Sequence, residues 1–365
     1  MHRCKICNSN SCIELINYKN TPLQIQKFSN KNNIKKGFKL KIYQCRGCEV
    51  VQLNCKPVSY YKEVMRSANV SKEMSTFRHL YFKKFIDKYD LKEKNILEIG
   101  CGSGEYLNIV KDYIKDSVGL EYSKELIKNK INSNLKIVQG FISNFKSKEK
   151  FSSFYSFSYM EHIPDIKNFL NSIKNNLNDD AVGIIEVPNF NYILENNLFY
   201  EFIRDHLFYF TKDTLKRTLE INGFEVISCN NIWHNYIISA EVKLRSPIRL
   251  DNFENSNKIL KKNVFDFIKS FNGDVAIWGA GHQSLFILST LGITSKDIKY
   301  VVDSSPTKYN KYTPTSNIKI VSPEYINTDT PKAILLIVGS YSNEVAFIIK
   351  KINKDIIIKN IKDLN

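Results

Sequence analysis

The chain has 365 residues, 43% of them apolar and 12% aromatic, which is room for two or three domains of ordinary size with real cores. No apolar run reaches membrane-spanning length, and the start, MHRCKIC, has neither the apolar core nor the cleavage site of a secretory signal, so a soluble, cytoplasmic protein is expected. The formal charge of +16 comes from lysines dispersed through a chain rich in Lys, Asn and Ile rather than from basic blocks, which points away from nucleic acid and toward a small substrate carrying phosphates.

Residues 1–58 hold six of the eight cysteines, four of them as Cys4-x-x-Cys7 and Cys45-x-x-Cys48. Two such knuckles bring four thiolates around one Zn²⁺, and a reducing compartment disfavours disulfides. With all four ligands supplied by cysteine no position is left for an activated water, so the metal is expected to be structural. Cys12 and Cys55 are surplus and read as packing residues or free thiols. The segments CKIC, TPLQIQKF and YQCRGCEVVQL resemble, in that order, the N-terminal zinc module of the sugar C-methyltransferases. The resemblance extends over nearly the whole chain. It implies a zinc module (residues 1–58), a methyltransferase domain binding S-adenosylmethionine (59–250) and a C-terminal Rossmann-like domain (251–365), acting on a nucleotide-linked 4-keto deoxysugar.

From Tyr60 to Leu91 the apolar spacing of Val64, Phe77, Leu80, Tyr81, Phe85 and Ile86 predicts one or two amphipathic helices leading into a sheet. In the resembled family a tyrosine of this segment faces the active site, and Tyr60 or Tyr61 stands in that place.

Next comes ILEIGCGSGEYL, residues 96–107. An apolar strand followed by Gly100, Gly102 and Gly104 predicts a tight turn into a helix N-terminus, where exposed backbone amides favour an anionic group. Dinucleotide spacing fails, because Glu105 stands three residues after Gly102, where an acid would repel a pyrophosphate. The pattern, with Glu98 in the strand, resembles the first motif of class I S-adenosylmethionine methyltransferases. About twenty residues on, VGLEYS closes a second strand with Glu121, placed to accept from both ribose hydroxyls, followed by Tyr122. A helix over 123–132, the strand LKIVQGF and the segment FSSFYSFSYMEHIPD continue a doubly wound α/β sheet. Where the family often offers an acid to adenine, this chain has Gln139-Gly140-Phe141, so Gly140 and Phe141 complete the expected cofactor set. The EHIPD loop matches class I methyltransferases and puts Glu161 and His162 at the carboxyl edge of the sheet.

After the strand GIIEVPNF, the run Asp205-His206-Leu207-Phe208-Tyr209-Phe210 resembles the Glu-His-x-x-Tyr-Phe signature of the sugar C-methyltransferases. A carboxylate beside an imidazole is the pairing that sets a histidine's protonation for general acid–base work, and His206, His162, Asp205 and Tyr209 form the expected catalytic set. Two departures stand out. The family's tyrosine two residues before the carboxylate is Ile203 here, which leaves Tyr200 or Tyr209 as substitutes. The family's His-Gly-Gly segment is replaced by Trp233, His234 and Asn235. Methyl transfer to oxygen or nitrogen of a modified sugar therefore stands as an alternative to carbon, and a zinc-containing nucleic-acid methyltransferase as a second.

Residues 251–271 read as a polar helical connector. VAIWGAGHQSLFILSTLGI then opens a second Rossmann-like unit with Gly279, Gly281 and Ser284, and YVVDSSP places Asp303 about twenty residues on. By resemblance this unit holds the nucleotide-linked substrate rather than a redox cofactor, with Gly279, Gly281, Asp303 and Lys308 as the expected contacts.

Overall fold

The computed structural model describes residues 3–25, 36–63 and 70–365; Val64 and the end of the TPLQIQKF segment lie outside them. It forms two compact units, Met1–Ser246 and Pro247–Asn365, where three were expected.

The first unit begins with strands β1 (Cys12–Thr21), β2 (Phe38–Cys45) and β3 (Val51–Leu53), an antiparallel meander whose inner residues Leu40, Ile42, Val51 and Leu53 are buried. Helix α1 (Lys72–Lys88) is capped by the Ser71 hydroxyl, which accepts from the Met74 amide, and carries Glu73 in its first turn and Lys88 in its last, both matching the helix dipole. Its Phe82, Phe85 and Ile86 pack on the sheet that follows.

That sheet is built from β4 (Asn95–Ile99), α2 (Glu105–Val110), β5 (Asp116–Glu121), α3 (Lys124–Lys128), β6 (Lys136–Gln139), β7 (Phe151–Phe157), α4 (Ile166–Asn175) and β8 (Leu177–Pro188). After α5 (Phe190–Glu195) come β9 (Phe208–Tyr209), α6 (Lys212–Ile221) and the hairpin β10 (Phe224–Ile232) and β11 (Ile237–Leu244). The spatial order is β10-β11-β8-β7-β4-β5-β6, parallel except that β11 runs antiparallel to both its neighbours. Chain order reverses between β4 and β7, so their carboxyl ends open the crevice where α/β sheets bind ligands. The glycine turn after β4 and the loop after β7 both lie there. The helix expected over 123–132 is shorter, ending at Lys128.

The cysteine segment is not a separate body. Strand β3 pairs with β9 through Val51–Tyr209 and Gln52–Phe208, so the N-terminal meander and the segment carrying His206 share one sheet. Cys4, Cys45 and Cys48 are buried in the same core as Leu207, Phe208 and Phe210.

One buried ion pair fixes α1 over the carboxyl edge. The guanidinium of Arg78 donates to both oxygens of Glu186 in β8, at 2.7 and 2.6 Å, with both side chains almost wholly excluded from water. Ser239 of β11 donates to the same carboxylate at 3.2 Å. Burying two charges costs as much as their attraction returns, so the pair fixes register more than it adds stability.

The second unit comprises α7 (Asp251–Ser270), β12 (Val275–Trp278), α8 (His282–Leu291), β13 (Val301–Val302), β14 (Ile320–Val321), β15 (Ala333–Leu336), α9 (Ser342–Ile352) and β16 (Ile357–Asn360). Its five strands are all parallel, in the order β14-β13-β12-β15-β16. Among the described residues no helix is long and apolar enough to cross a membrane.

Candidate active site

The turn after β4 is shaped by three glycines with positive φ, at 76° for Gly100, 58° for Gly102 and 91° for Gly104, a region other residues enter only under strain. At Gly104 a Cβ would also lie 2.6 Å from Leu135 Cδ1. The Glu121 carboxylate is fully buried beside the turn, accepting from the Gly102 amide at 2.9 Å and from the Ser123 amide at 2.8 Å. Two amide donors, one on each oxygen, fix the carboxylate's direction. Glu98, below the turn, accepts from the Tyr155 hydroxyl at 2.8 Å. The Gly140 amide bonds to the Glu121 carbonyl at 2.8 Å, which brings Phe141 alongside Tyr122, edge to face with centroids 6.5 Å apart.

Sequence reasoning missed what sits over these rings. The Lys62 ammonium lies 5.8 Å from the Tyr61 ring, 5.3 Å from Tyr122 and 5.1 Å from Phe141, and the Tyr159 hydroxyl holds the Lys62 carbonyl at 2.7 Å. Three aromatic faces that attract an ammonium suit a flat purine whose donor bears a positive sulfonium. Rigid glycine turn, buried acid and aromatic slot fit S-adenosylmethionine.

The acceptor side is formed by the loop after β7 and the segment before β9, joined by the Leu207 amide bonding to the Glu161 carbonyl at 2.8 Å. His162 and His206 stand edge to face with ring centroids 4.8 Å apart. Two imidazolium rings so close would repel by about 3 kcal/mol at an effective dielectric of about 20, so at most one carries charge. Burial lowers His162 to about 4, opposed by its hydrogen bond to the Asp205 carbonyl, and burial lowers His206 further, with the His162 ring adding to the effect. Both are bases in their neutral form. Asp205 is buried, its carboxyl pushed upward by that burial and eased down by a hydrogen bond from Tyr60. Tyr60, rather than Tyr61, is thus the tyrosine that reaches this side.

Tyr209 does not make good the tyrosine missing at Ile203. Its hydroxyl accepts from the Ile203 amide at 2.9 Å and faces the carbonyls of Glu201 and Ile203 at 3.2 and 3.3 Å, so it staples the loop. Tyr200 lies exposed on that loop. Trp233, His234 and Asn235 form the tip of the β10–β11 hairpin, all three with positive φ, and His234 points outward toward Glu73 at 3.2 Å.

The four cysteines converge. Cys4 and Cys48 sulfurs lie 3.5 Å apart and those of Cys7 and Cys45 3.6 Å, and the ligand atoms of all four fall within 4.8 Å of one another. Tetrahedral thiolates at about 2.3 Å from zinc would stand roughly 3.8 Å apart, so this geometry fits a metal with little movement. The Ile6 amide donates to Cys4 Sγ and the Gly47 amide to Cys45 Sγ, at 3.4 and 3.3 Å, as each knuckle turns back on its own first thiolate.

In the second unit the expected contacts bind each other. Asp303 Oδ2 accepts from the Ala280 amide at 2.7 Å and from Lys308 Nζ at 2.9 Å, while Oδ1 takes the Ser305 amide at 2.8 Å. The acid at the dinucleotide-ribose position is engaged in holding its own turn. Gly279 has φ 113°, whereas Gly281 is extended and open to one side.

Residues 67–229 match the family model of a methyltransferase domain, and residues 237–356 match that of the C-methyltransferase C-terminal domain. Together with the strand order and the glycine turn, this makes the chain an S-adenosylmethionine-dependent methyltransferase. Over nearly its whole length it is similar to a C-methyltransferase, NovU of Streptomyces niveus, at 20% identity across 94% of this chain and 90% of that protein. An uncharacterized protein of Methanocaldococcus jannaschii is 26% identical across 58% of this chain and 87% of its own. Among solved structures, a S-adenosylmethionine-dependent methyltransferase from Clostridium acetobutylicum aligns with 51% of this chain and 96% of its own, at 16% identity and a TM-score of 0.40.

Proposed function

We propose that this enzyme methylates a carbon of a nucleotide-linked deoxysugar next to a ketone. The observation that carries the reading is the pair of imidazoles, His162 and His206, with ring centroids 4.8 Å apart at the carboxyl edge of the sheet, beside the turn that would hold the methyl donor. Similarity to a C-methyltransferase along both units supports carbon as the acceptor atom.

In this reading Gly100, Gly102 and Gly104 cradle the amino-acid end of the donor, with Glu98 supporting the turn. Glu121 binds the ribose, and Tyr122, Gly140 and Phe141 line the adenine. S-adenosylmethionine supplies an electrophilic methyl, so the protein's part is to bind, align and dry the reactants. His206 or His162 removes the proton alpha to the ketone, and the Asp205 carboxyl with Tyr60 orients that side. The second unit, with Gly279, Gly281 and Lys308, binds the nucleotide phosphates. The four cysteines hold one structural Zn²⁺, and its removal would loosen the sheet that presents His206.

The test is incubation of the enzyme with methyl-labelled donor and a panel of nucleotide-linked 4-keto deoxysugars in deuterated water. Label on carbon, with solvent deuterium entering the alpha position of substrate that returns from the enolate unmethylated, supports the reading. Label on oxygen or nitrogen without deuterium uptake supports the second reading, favoured by Ile203 standing where the family has tyrosine. Metal analysis should give one zinc per chain, lost in Cys45→Ser.

A further inference from the structure

Among the described residues Glu161 stands apart. Its side chain is 1% exposed, and neither carboxyl oxygen has a hydrogen-bond partner among the described residues. Buried carboxyl groups are almost always bonded, so two orphaned oxygens on one residue require a cause. What Oε1 faces is His162 Nε2, at 3.8 Å. The other nitrogen of that ring, Nδ1, lies 2.9 Å from the Asp205 carbonyl oxygen. A carbonyl can only accept, so Nδ1 carries a hydrogen, and in the neutral ring Nε2 is left with a lone pair. A lone pair directed at an ionised carboxylate is repulsive. Something positive belongs between them.

A metal ion is the rival occupant: the ligand atoms of Glu161, His162 and His206 lie within 4.8 Å of one another, and a cation would need all three to converge on one point at about 2.1 Å. A proton needs only that Glu161 approach Nε2 by about 1 Å, to ordinary hydrogen-bond distance. The raised carboxyl of Glu161, brought by burial to about 8 against the opposing pull of its own backbone amide, agrees with a proton held there.

We propose that Glu161 and His162 share a single proton through Nε2, making Glu161 a positioning residue that stores charge behind His162 and keeps His206 neutral as the base. The proton shifts between a neutral pair, carboxylic acid and imidazole, and an ion pair, carboxylate and imidazolium, with no other group gained or lost. In the ion-pair form the Asp205 carbonyl and the Glu161 carboxylate each take one N–H of His162. His206, edge on to that ring and with no side-chain hydrogen bond among the described residues, then cannot also become charged. This deepens the proposed reading, in which a base beside the donor removes a proton. It assigns that base to His206 rather than to His162.

The experiment is nuclear magnetic resonance of the full-length enzyme with ¹⁵N-labelled histidine and ¹³C-labelled glutamate, titrated through the neutral range without any sugar. The Glu161 carboxyl carbon and His162 Nε2 should move together, well above the ordinary carboxylate range, while His206 stays neutral. In Glu161→Gln the His162 transition should shift by more than about one pH unit, whereas the Asp205-bonded Nδ1 signal persists. A Glu161 carboxyl that titrates in the ordinary range overturns the proposal, as does a His162 signal indifferent to the glutamine, or a second metal ion per chain lost in Glu161→Gln. If the variant fails to fold, the wild-type carbon signal alone decides. None of these outcomes depends on which acceptor is methylated, so failure here is separable from failure of the function.

Discussion

The two glycine turns of this chain start from the same plan and end differently. Each follows the first strand of a parallel sheet, and in each an acid closing the next strand accepts an amide of the turn: Glu121 from Gly102, Asp303 from Ala280. In the second unit that acid is also bridged by Lys308 and Ser305, its charge paired within a few residues of its own position. Glu121 likewise takes the amide two residues on, from Ser123, but the residue that follows it is Tyr122, which stands against Phe141 in the aromatic slot. The lesson is that an acid about twenty residues after a glycine turn marks a geometry, while what surrounds the acid decides whether it faces a ligand.

The sharpest way to break this comparison is to remove each acid in turn. Glu121→Ala should weaken S-adenosylhomocysteine binding, read by calorimetry, at least about 100-fold, because two charge-assisted hydrogen bonds of about 1.5 kcal/mol or more each are lost. Asp303→Ala should leave that affinity within about twofold and lower the melting temperature of its own unit. Equal effects on binding would refute the distinction.

Next in size are the glycines themselves. Gly279→Ala meets the Ile337 carbonyl oxygen at 2.8 Å with φ at 113°, so backbone must shift, at an expected cost of about 2–3 kcal/mol in denaturant unfolding. Gly104→Ala meets the ends of the Leu135 and Ile137 side chains, which can turn aside, and should cost about 1–2 kcal/mol, chiefly from its φ of 91°. Gly281→Ala should stay within about 0.5 kcal/mol. No atom lies within 4 Å of the new methyl, and the slightly poorer helix cap is offset by the reduced freedom of the unfolded chain.

The smallest effect concerns pH. Burial raises the Asp303 carboxyl, but Lys308 and two backbone amides outweigh it and hold the group below its usual value. A depressed carboxylate stabilises the fold above its unfolded value and gives up that contribution as pH falls through the folded one. Thermal stability of the second unit should therefore decline more steeply in acid than that of Asp303→Asn, below about pH 4.

Much of this was legible in the chain. Alternating strands and helices specified the doubly wound sheets because the short apolar runs of the central strands, such as β4, β12 and β15, are buried on both faces. Gly100, Gly102 and Gly104 were readable because positive φ is a local demand that only glycine meets cheaply. Legibility failed where the partner was distant. Arg78 and Glu186 are an ion pair 108 positions apart, so neither announced the other. Glu161 stood in a recognisable loop, yet its isolation follows from the packing around it, which no motif encodes. The pairing of Asp303 with Lys308 was not legible either, because a spacing rule written for acids does not see the lysine.

Consider finally the ladder between Val51 and Tyr209. The ribosome delivers those two strands far apart in time, so the segment bearing His206 cannot settle against its neighbour until most of the first unit has emerged. The donor cradle draws on residues 61–155, all of which precede that segment. A nascent molecule would thus be competent to capture its methyl source well before it could use it, and clipping the leading residues from a finished one would return it to that idle condition.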